Sequence, residues 1–338
     1  MIVTALTEMF RIQHPILLGP MGGVSGGHLA ATVSNAGALG LVGGGYGDPA
    51  WLRAELSRVQ GDTDRPWGVG LITWSTSPHV VDLVLEYQPH AVMLSFGDPR
   101  PFVAQIKSKG CKLICQVQDV AQARLAREAG ADLIVAQGTE AGGHGGTRAT
   151  LPLIPAVVDA VTPIPVVAAG GIADGRGLAA ALMLGAAGAL IGTRFYATHE
   201  ALGQQRAKDR IVAASAHETA RTRVFDIVRG YAWPKPYTGR AISNRFMERW
   251  SGREGDLIAA LETEREQYQA AARDGDTDTS VVWAGEGVDL IHSVESAATL
   301  VAQICDKAES QLRSGASLSR SSATIVQQQY EGEPDARK

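Results

Sequence analysis

Cysteine is scarce in this sequence: Cys111, Cys115 and Cys305 are the only three in 338 residues. Three scattered thiols make no disulfide framework, and the spacing Cys111-x-x-x-Cys115 lacks the second ligand pair of a zinc site. Alternation from Lys112 to Val117 reads as a strand with buried rather than reactive thiols. No run of about 18 apolar residues occurs, so no segment is expected to span a membrane. The stretch from Met1 to Glu8 has no basic segment followed by an apolar one, so no secretory leader is read there and a cytoplasmic location is expected. Excess charge is missing as well. A net charge of −4 offers no overall basic field for nucleic acid or an anionic membrane. No His, Asp and Glu cluster has metal-ligand spacing, and no Gly-x-Gly-x-x-Gly turn follows the first apolar run, so neither a metal nor a dinucleotide site is expected.

Glycine is abundant, at 39 residues, in a chain that is 45% hydrophobic and 20% charged. That balance is ordinary for a globular protein. Eight short apolar runs recur along it, starting at residues 16, 38, 67, 91, 112, 132, 165 and 187. Their spacing leaves room for one helix in each crossover, as a parallel βα repeat requires. The runs are continuously apolar rather than alternating, the pattern of strands covered on both faces. Between them lie amphipathic stretches such as Val120 to Ala129, closed by Gly130, and Asp174 to Gly185, opened by a capping Asp. The fold class expected is α/β, a (βα)₈ TIM barrel over residues 1–199. A doubly wound sheet is the alternative, because repeat count does not prove closure.

After Arg194 the rhythm breaks. Residues 200–290 read as a helical insertion after the last strand, serving as a lid or substrate subdomain. The aromatic stretch Tyr231 to Tyr237 is placed over the site, with Trp233 and Tyr237 as wall residues. A helix over 291–313 is expected to return to the barrel, followed by a polar tail over 314–338 with Ile325, Val326 and Tyr330 as its candidate anchors.

Chemistry concentrates at strand ends. The sixth run opens into Gln137-Gly138-Thr139-Glu140-Ala141-Gly142-Gly143-His144-Gly145-Gly146, five of ten residues being glycine around one imidazole. Such a loop lets a flat cofactor approach the backbone and offers a proton-transfer group, with an ordinary histidine pKa near 6.5. The bland alternative is a surface loop with an incidental His. The seventh and eighth runs end in Ala169-Gly170-Gly171-Ile172-Ala173-Asp174-Gly175 and Gly192-Thr193-Arg194. Both offer backbone N–H groups and lead into helices, so together they suggest a phosphate cup; tight turns needing glycine are the alternative. The first run ends in Gly19-Pro20-Met21-Gly22-Gly23, where Met21 either packs under a planar ring or fills core. Gln116 and Gln137 end the fifth and sixth runs, and their amides suit a heterocycle edge or, for Gln116, simple solvation.

With these residues in place the chain resembles the nitronate monooxygenase family, formerly 2-nitropropane dioxygenases, and its relative, the flavin-dependent enoyl-acyl-carrier-protein reductase. The motifs that carry the resemblance are Gly19 to Val24, Gly138 to Gly146, Ala168 to Gly177 and Ile191 to Phe195, within residues 10 to 200. The inosine-monophosphate dehydrogenase group shares the phosphate motifs, but no Cys follows the sixth run here. The resemblance implies FMN, with its phosphate at Gly170, Gly171, Gly192 and Thr193. It implies Met21, Gly22, Gln137, Gly142 and Gly143 around the ring and ribityl chain, and His144 as catalytic base or acid; Pro20 and Gln116 are further candidate cofactor-binding residues at their strand ends. Gly70 and Gln116 depart from the family, standing where many relatives carry Asn and some carry Lys. The expected activity is oxidation of alkyl nitronates with oxygen. The alternatives are reduction of an enoyl thioester or quinone, with NAD(P)H as candidate co-substrate, and a non-catalytic flavin-binding sensor. The partner expected is a small-molecule substrate, with no nucleic acid and no membrane, and the chain is expected to be a monomer or homodimer.

Overall fold

Each of the eight apolar runs is a strand in the computed structural model, which describes residues 1–318. They are β1 (Ile16–Leu18), β2 (Gly40–Gly43), β3 (Trp67–Ile72), β4 (Ala91–Ser95), β5 (Lys112–Val117), β6 (Leu133–Gln137), β8 (Val166–Ala169) and β9 (Gly188–Ile191), with β7 (Gly143–Gly145) inside the glycine loop. The sheet order is β1-β9-β8-β6-β5-β4-β3-β2, every pair parallel. A parallel bridge between Leu17 and Leu39 brings β1 against β2 and closes the ring. The architecture is therefore a TIM barrel rather than an open doubly wound sheet.

Crossover helices are α2 (Gly27–Asn35), α3 (Pro49–Asp62), α4 (Pro78–Glu86), α5 (Arg100–Ser108), α6 (Val120–Ala129), α7 (Thr150–Val161) and α8 (Gly175–Met183), after a short α1 (Ala5–Phe10). Their ends obey local chemistry. Asp119 caps α6 by accepting from the Gln122 amide, and Gly130 stops it at φ 87°. Asp174 caps α8 through the Arg176 and Gly177 amides.

Strand residues divide between two cores because successive side chains point to opposite faces. Leu17, Leu41, Met93, Ile114, Leu133, Val135, Val167 and Leu190 fill the barrel interior, where Leu6 and Phe10 of α1 join them. Ile16, Leu18, Val42, Val69, Val92, Leu113 and Ile134 face the helices. Cys111, Cys115 and Cys305 are buried free thiols, and burial pushes Cys115 and Cys305 up to about 12.

Past β9 come α9 (Thr193–Tyr196), α10 (Gln205–Ala213), α11 (Val224–Arg229), α12 (Arg245–Trp250), α13 (Glu254–Ala259) and α14 (Leu261–Asp274). This segment also contains β10 (Thr219–Thr222) and β11 (Thr238–Ile242), in addition to the helices expected there. Its helices share a core of Val224, Phe225, Val228, Phe246, Trp250, Leu257 and Tyr268. Finally α15 (Ala297–Leu318) returns to pack on α8 and α2. Ile325, Val326 and Tyr330 lie outside the described residues.

Candidate active site

The carboxyl ends of the strands open onto one cavity of about 500 Å³. Its wall contains every catalytic and cofactor-binding candidate from sequence: Pro20, Met21 and Gly22 after β1, Gln116 and Gln137 on β5 and β6, Gly142, Gly143 and His144 in the glycine loop, and Gly170, Gly171, Gly192 and Thr193 after β8 and β9. Residues spread over more than 170 positions thus converge, as strand ends in a barrel must.

The backbone is built for close approach. Gly170 and Gly171 take φ of 109° and 71°, a region that side-chain-bearing residues avoid. Among the described residues neither the Gly171 nor the Thr193 amide donates to a protein acceptor. A third turn joins them. The Gly285 amide donates to the Thr193 hydroxyl at 3.0 Å, the Glu286 amide donates to the Glu140 carbonyl at 2.9 Å, and a Cβ on Gly142 would lie 2.7 Å from Gly285. Sequence reading passed over this turn, although Gly285-Glu286-Gly287 is itself a Gly-x-Gly signal. Arg194, within the same motif, serves the fold instead, donating to the Ser293 carbonyl and the Glu295 carboxylate. At Gly70 any Cβ would lie 2.3 Å from the Pro20 ring, so Pro20 occupies the space that a side chain there would need.

Within the glycine loop, His144 sits on a strand. Residues Gly143 to Gly145 form β7, which pairs antiparallel with β11 opposite Arg240, Gly239 and Thr238, and β11 pairs in turn with β10. Gly-His-Gly has little strand propensity of its own, so the extended state comes from the partner strand. Two guanidinium groups hold the loop: Arg221 and Arg240 both donate to the Thr139 carbonyl, and Arg221 also reaches the carbonyls of Gly145 and Thr238. Burial beside Arg240 pulls Arg221 down to about 10, still charged at neutral pH.

His144 Nε2 lies 3.0 Å from both carboxylate oxygens of Asp226 on α11. Asp226 is only 2% exposed. A ring nitrogen facing a carboxylate carries the proton, which leaves Nδ1 with its lone pair and no protein partner. The indole of Trp233 stacks on the imidazole at 3.5 Å between centroids and 5° between planes, and Trp283 stands 5.1 Å away. Burial pulls the His144 pKa below its ordinary value, against the Asp226 carboxylate, which raises it. The arrangement therefore keeps a neutral, oriented imidazole at neutral pH. Asp226 was invisible to sequence reading because it stands 82 residues away on a helix with no motif around it.

Gln137 turns out to be internally engaged. Its side-chain oxygen accepts from Gln116 at 3.0 Å and Gln118 at 2.9 Å, and its amide donates to the His144 carbonyl at 3.0 Å. It braces β7 rather than presenting free groups to the cavity. Trp233, Tyr231 and Trp283 do line the cavity, but Tyr237 does not. Tyr237 faces a separate space of about 180 Å³, where its hydroxyl meets Gln122 at 3.5 Å. Trp250 belongs to the core around Phe225.

A parallel barrel with three glycine turns and an oriented histidine at its carboxyl end defines an oxidoreductase of the flavin-dependent class, and the comparisons agree. The family model described as "Nitronate monooxygenase" matches residues 3–79 and 73–307, and the chain belongs to that family. A probable nitronate monooxygenase of Staphylococcus aureus (strain MSSA476) is 30% identical, covering 89% of this chain and 96% of that protein. A Rhodococcus jostii protein named (3aS,4S,5R,7aS)-5-hydroxy-7a-methyl-1-oxo-octahydro-1H-indene-4-carboxyl-CoA dehydrogenase is 38% identical over 224 residues; the match spans 66% of this chain and 63% of that one. Among solved structures, FabK from Thermotoga maritima superposes with a TM-score of 0.85 at 32% identity, covering 94% of this chain and all of that one. Nitroalkane oxidase from Streptomyces ansochromogenes gives 0.80 at 28%, covering 93% and 100%. Among the described residues no helix is long and apolar enough to cross a membrane.

Proposed function

We propose that the cavity binds FMN and that the enzyme oxidises alkyl nitronates, or the nitroalkanes that yield them, with His144 as general base. The observation that carries this reading is the buried His144–Asp226 pair on the wall of a glycine-lined cavity. The phosphate is assigned to Gly170, Gly171, Gly192 and Thr193, where two amides await an acceptor, with Gly285 completing the cup. Pro20, Met21, Gly22, Gly142 and Gly143 are assigned to the ring and ribityl chain. Gln116, whose side-chain oxygen has no protein donor, is assigned to the ring edge.

When bound, the flavin supplies a two-electron acceptor and a route for those electrons to oxygen. The chain's own groups manage the proton. Nδ1 of His144 takes it from the carbon next to the nitro group, and Asp226 holds the resulting imidazolium through Nε2–H. Trp233 fixes the plane of the ring and keeps water from one of its faces.

A second reading draws on the Rhodococcus relative's name, which puts a thioester carbonyl where the first has a nitro group. Both are carbon acids and use the same base in the oxidative direction; in the opposite direction NAD(P)H supplies the two electrons for reduction of an enoyl thioester or quinone, and protonated His144 returns the proton.

Chromatography of the flavin released on denaturation, followed by anaerobic mixing of the holoenzyme with a nitronate, NADH or NADPH, tests the proposal. FMN and bleaching by the nitronate alone are expected. FAD, no flavin after reconstitution, or bleaching only by a pyridine nucleotide overturns it.

A further inference from the structure

Four side chains lining the main cavity carry charge or gain it on protonation: Asp48, Glu140, His144 and Arg229. Three are engaged by the protein. Asp48 caps α3 by accepting from the Ala50 and Trp51 amides. Glu140 accepts from the Thr150 amide and hydroxyl. His144 is held by Asp226. Arg229 differs from all of them. Among the described residues its guanidinium makes no hydrogen bond and has no carboxylate oxygen within 4.0 Å.

Its position is nevertheless well determined. The guanidinium carbon lies 4.8 Å from the centroid of the Tyr231 ring. Tyr231 stacks on Tyr46 at 3.8 Å and 6°, the Tyr46 hydroxyl accepts from the Trp233 indole N–H at 2.9 Å, and Trp233 stacks on His144. An unbroken aromatic relay thus joins the free cation to the base. Beside it the Arg265 guanidinium donates to the Val228 carbonyl and likewise has no carboxylate oxygen within 4.0 Å, and the acid on the helix of Arg229, Asp226, is engaged by His144. A half-buried guanidinium whose fork has no hydrogen-bond partner carries a desolvation cost that an entering oxyanion relieves, and its planar shape matches a carboxylate or phosphate. Tyr46 adds a neutral hydroxyl whose own proton has no protein acceptor.

We infer that Arg229, held flat on Tyr231, is the specificity residue that binds an anionic oxygen group of the substrate, a carboxylate or phosphate several bonds from the carbon that His144 deprotonates. The inference rests on reading this cavity as the substrate site. It sets the reacting end against the glycine turns and the charged end against the aromatic wall, so chain length and terminal charge select the substrate together.

The test uses non-reacting ligands, which separates it from the nitronate reading. Flavin absorbance of the holoenzyme is titrated with hexanoate, hexyl phosphate and hexanol, in the wild type and in Arg229→Gln and Arg229→Lys. One charge-assisted contact predicts that at least one of the anions binds about tenfold or more tightly than the alcohol. Arg229→Gln should bring that ratio close to one with flavin content unchanged, and Arg229→Lys should keep part of it. The tighter anion identifies the group. A wild-type ratio near one, or a ratio unaltered in Arg229→Gln, overturns the inference; loss of flavin from both variants assigns Arg229 to the cofactor and overturns it too. An intact ratio in an enzyme that ignores nitronates leaves the anion subsite standing and refutes the reaction instead.

Discussion

Asp226→Asn is the most informative single change. The carboxylate accepts the Nε2 proton of His144 through two oxygens at 3.0 Å, in a site 2% exposed. An Asn side chain has nearly the same shape but can turn its NH₂ toward Nε2. The imidazole then adopts the other tautomer, with its proton on Nδ1 and no lone pair left for substrate. Two losses combine. The charge that stabilises the imidazolium disappears, a hydrogen bond to a charged group being worth about 1.5–3 kcal/mol or roughly one to two decades in rate. The base itself is then in the wrong form, and positioned bases contribute on the order of 10² to 10⁴. We expect kcat/KM on a neutral nitroalkane to fall by about 10² to 10⁴ with flavin content unchanged. Asp226→Ala leaves a hole but imposes no tautomer, so it should lose less, about ten- to a hundredfold. Steady-state oxygen uptake measures both variants. An Asp226→Asn enzyme as active as wild type, or an Ala variant worse than the Asn variant at equal thermal stability, would refute tautomer control by Asp226.

Other consequences are quicker to check. Thr193→Asp should abolish FMN retention, because a carboxylate beside the phosphate repels it by about a kcal/mol or more; unchanged flavin occupancy after gel filtration places the phosphate elsewhere. Trp233→Ala should raise KM severalfold while flavin stays bound, since it removes the stack on His144, whereas Tyr237→Ala, which faces the other space, should leave KM alone. Equal effects in the two variants would contradict the assignment of the cavity wall. The acid limb of kcat/KM should lie below pH 6.5. Burial holds His144 below its ordinary value, so the neutral base persists as pH falls past 6.5 and is lost only at the lower, folded-state pKa. A limb above 6.5 contradicts the burial argument.

The barrel was legible because its information is local. Strands covered on both faces must be continuously apolar, and Asp119, Gly130 and Asp174 mark helix ends within one turn of the residues they cap. The glycine turns were legible for the same reason. What sequence did not disclose is what other segments impose. The extended state of Gly143 to Gly145 is supplied by β11, nearly a hundred residues on. The partner of His144 comes from α11, in a stretch whose apolar residues, such as Val224 and Phe225, only speak of a core. Gln137 showed its place at a strand end but not that Gln116 and Gln118 would occupy its amide oxygen. Tyr237 and Trp233 lie four residues apart, and only the turn between them decides that they face different spaces.

The central claim is that His144 removes a proton from carbon. Anaerobic stopped-flow mixing of FMN-loaded wild type and His144→Ala with a nitroalkane, and separately with its preformed nitronate, tests it most directly. The nitronate has no proton left to lose, so the variant should still bleach with it at a rate within about tenfold of wild type, while bleaching by the neutral nitroalkane should fall by about 10² to 10⁴. Equal losses on the two forms would contradict the base role and leave His144 as a group that binds substrate.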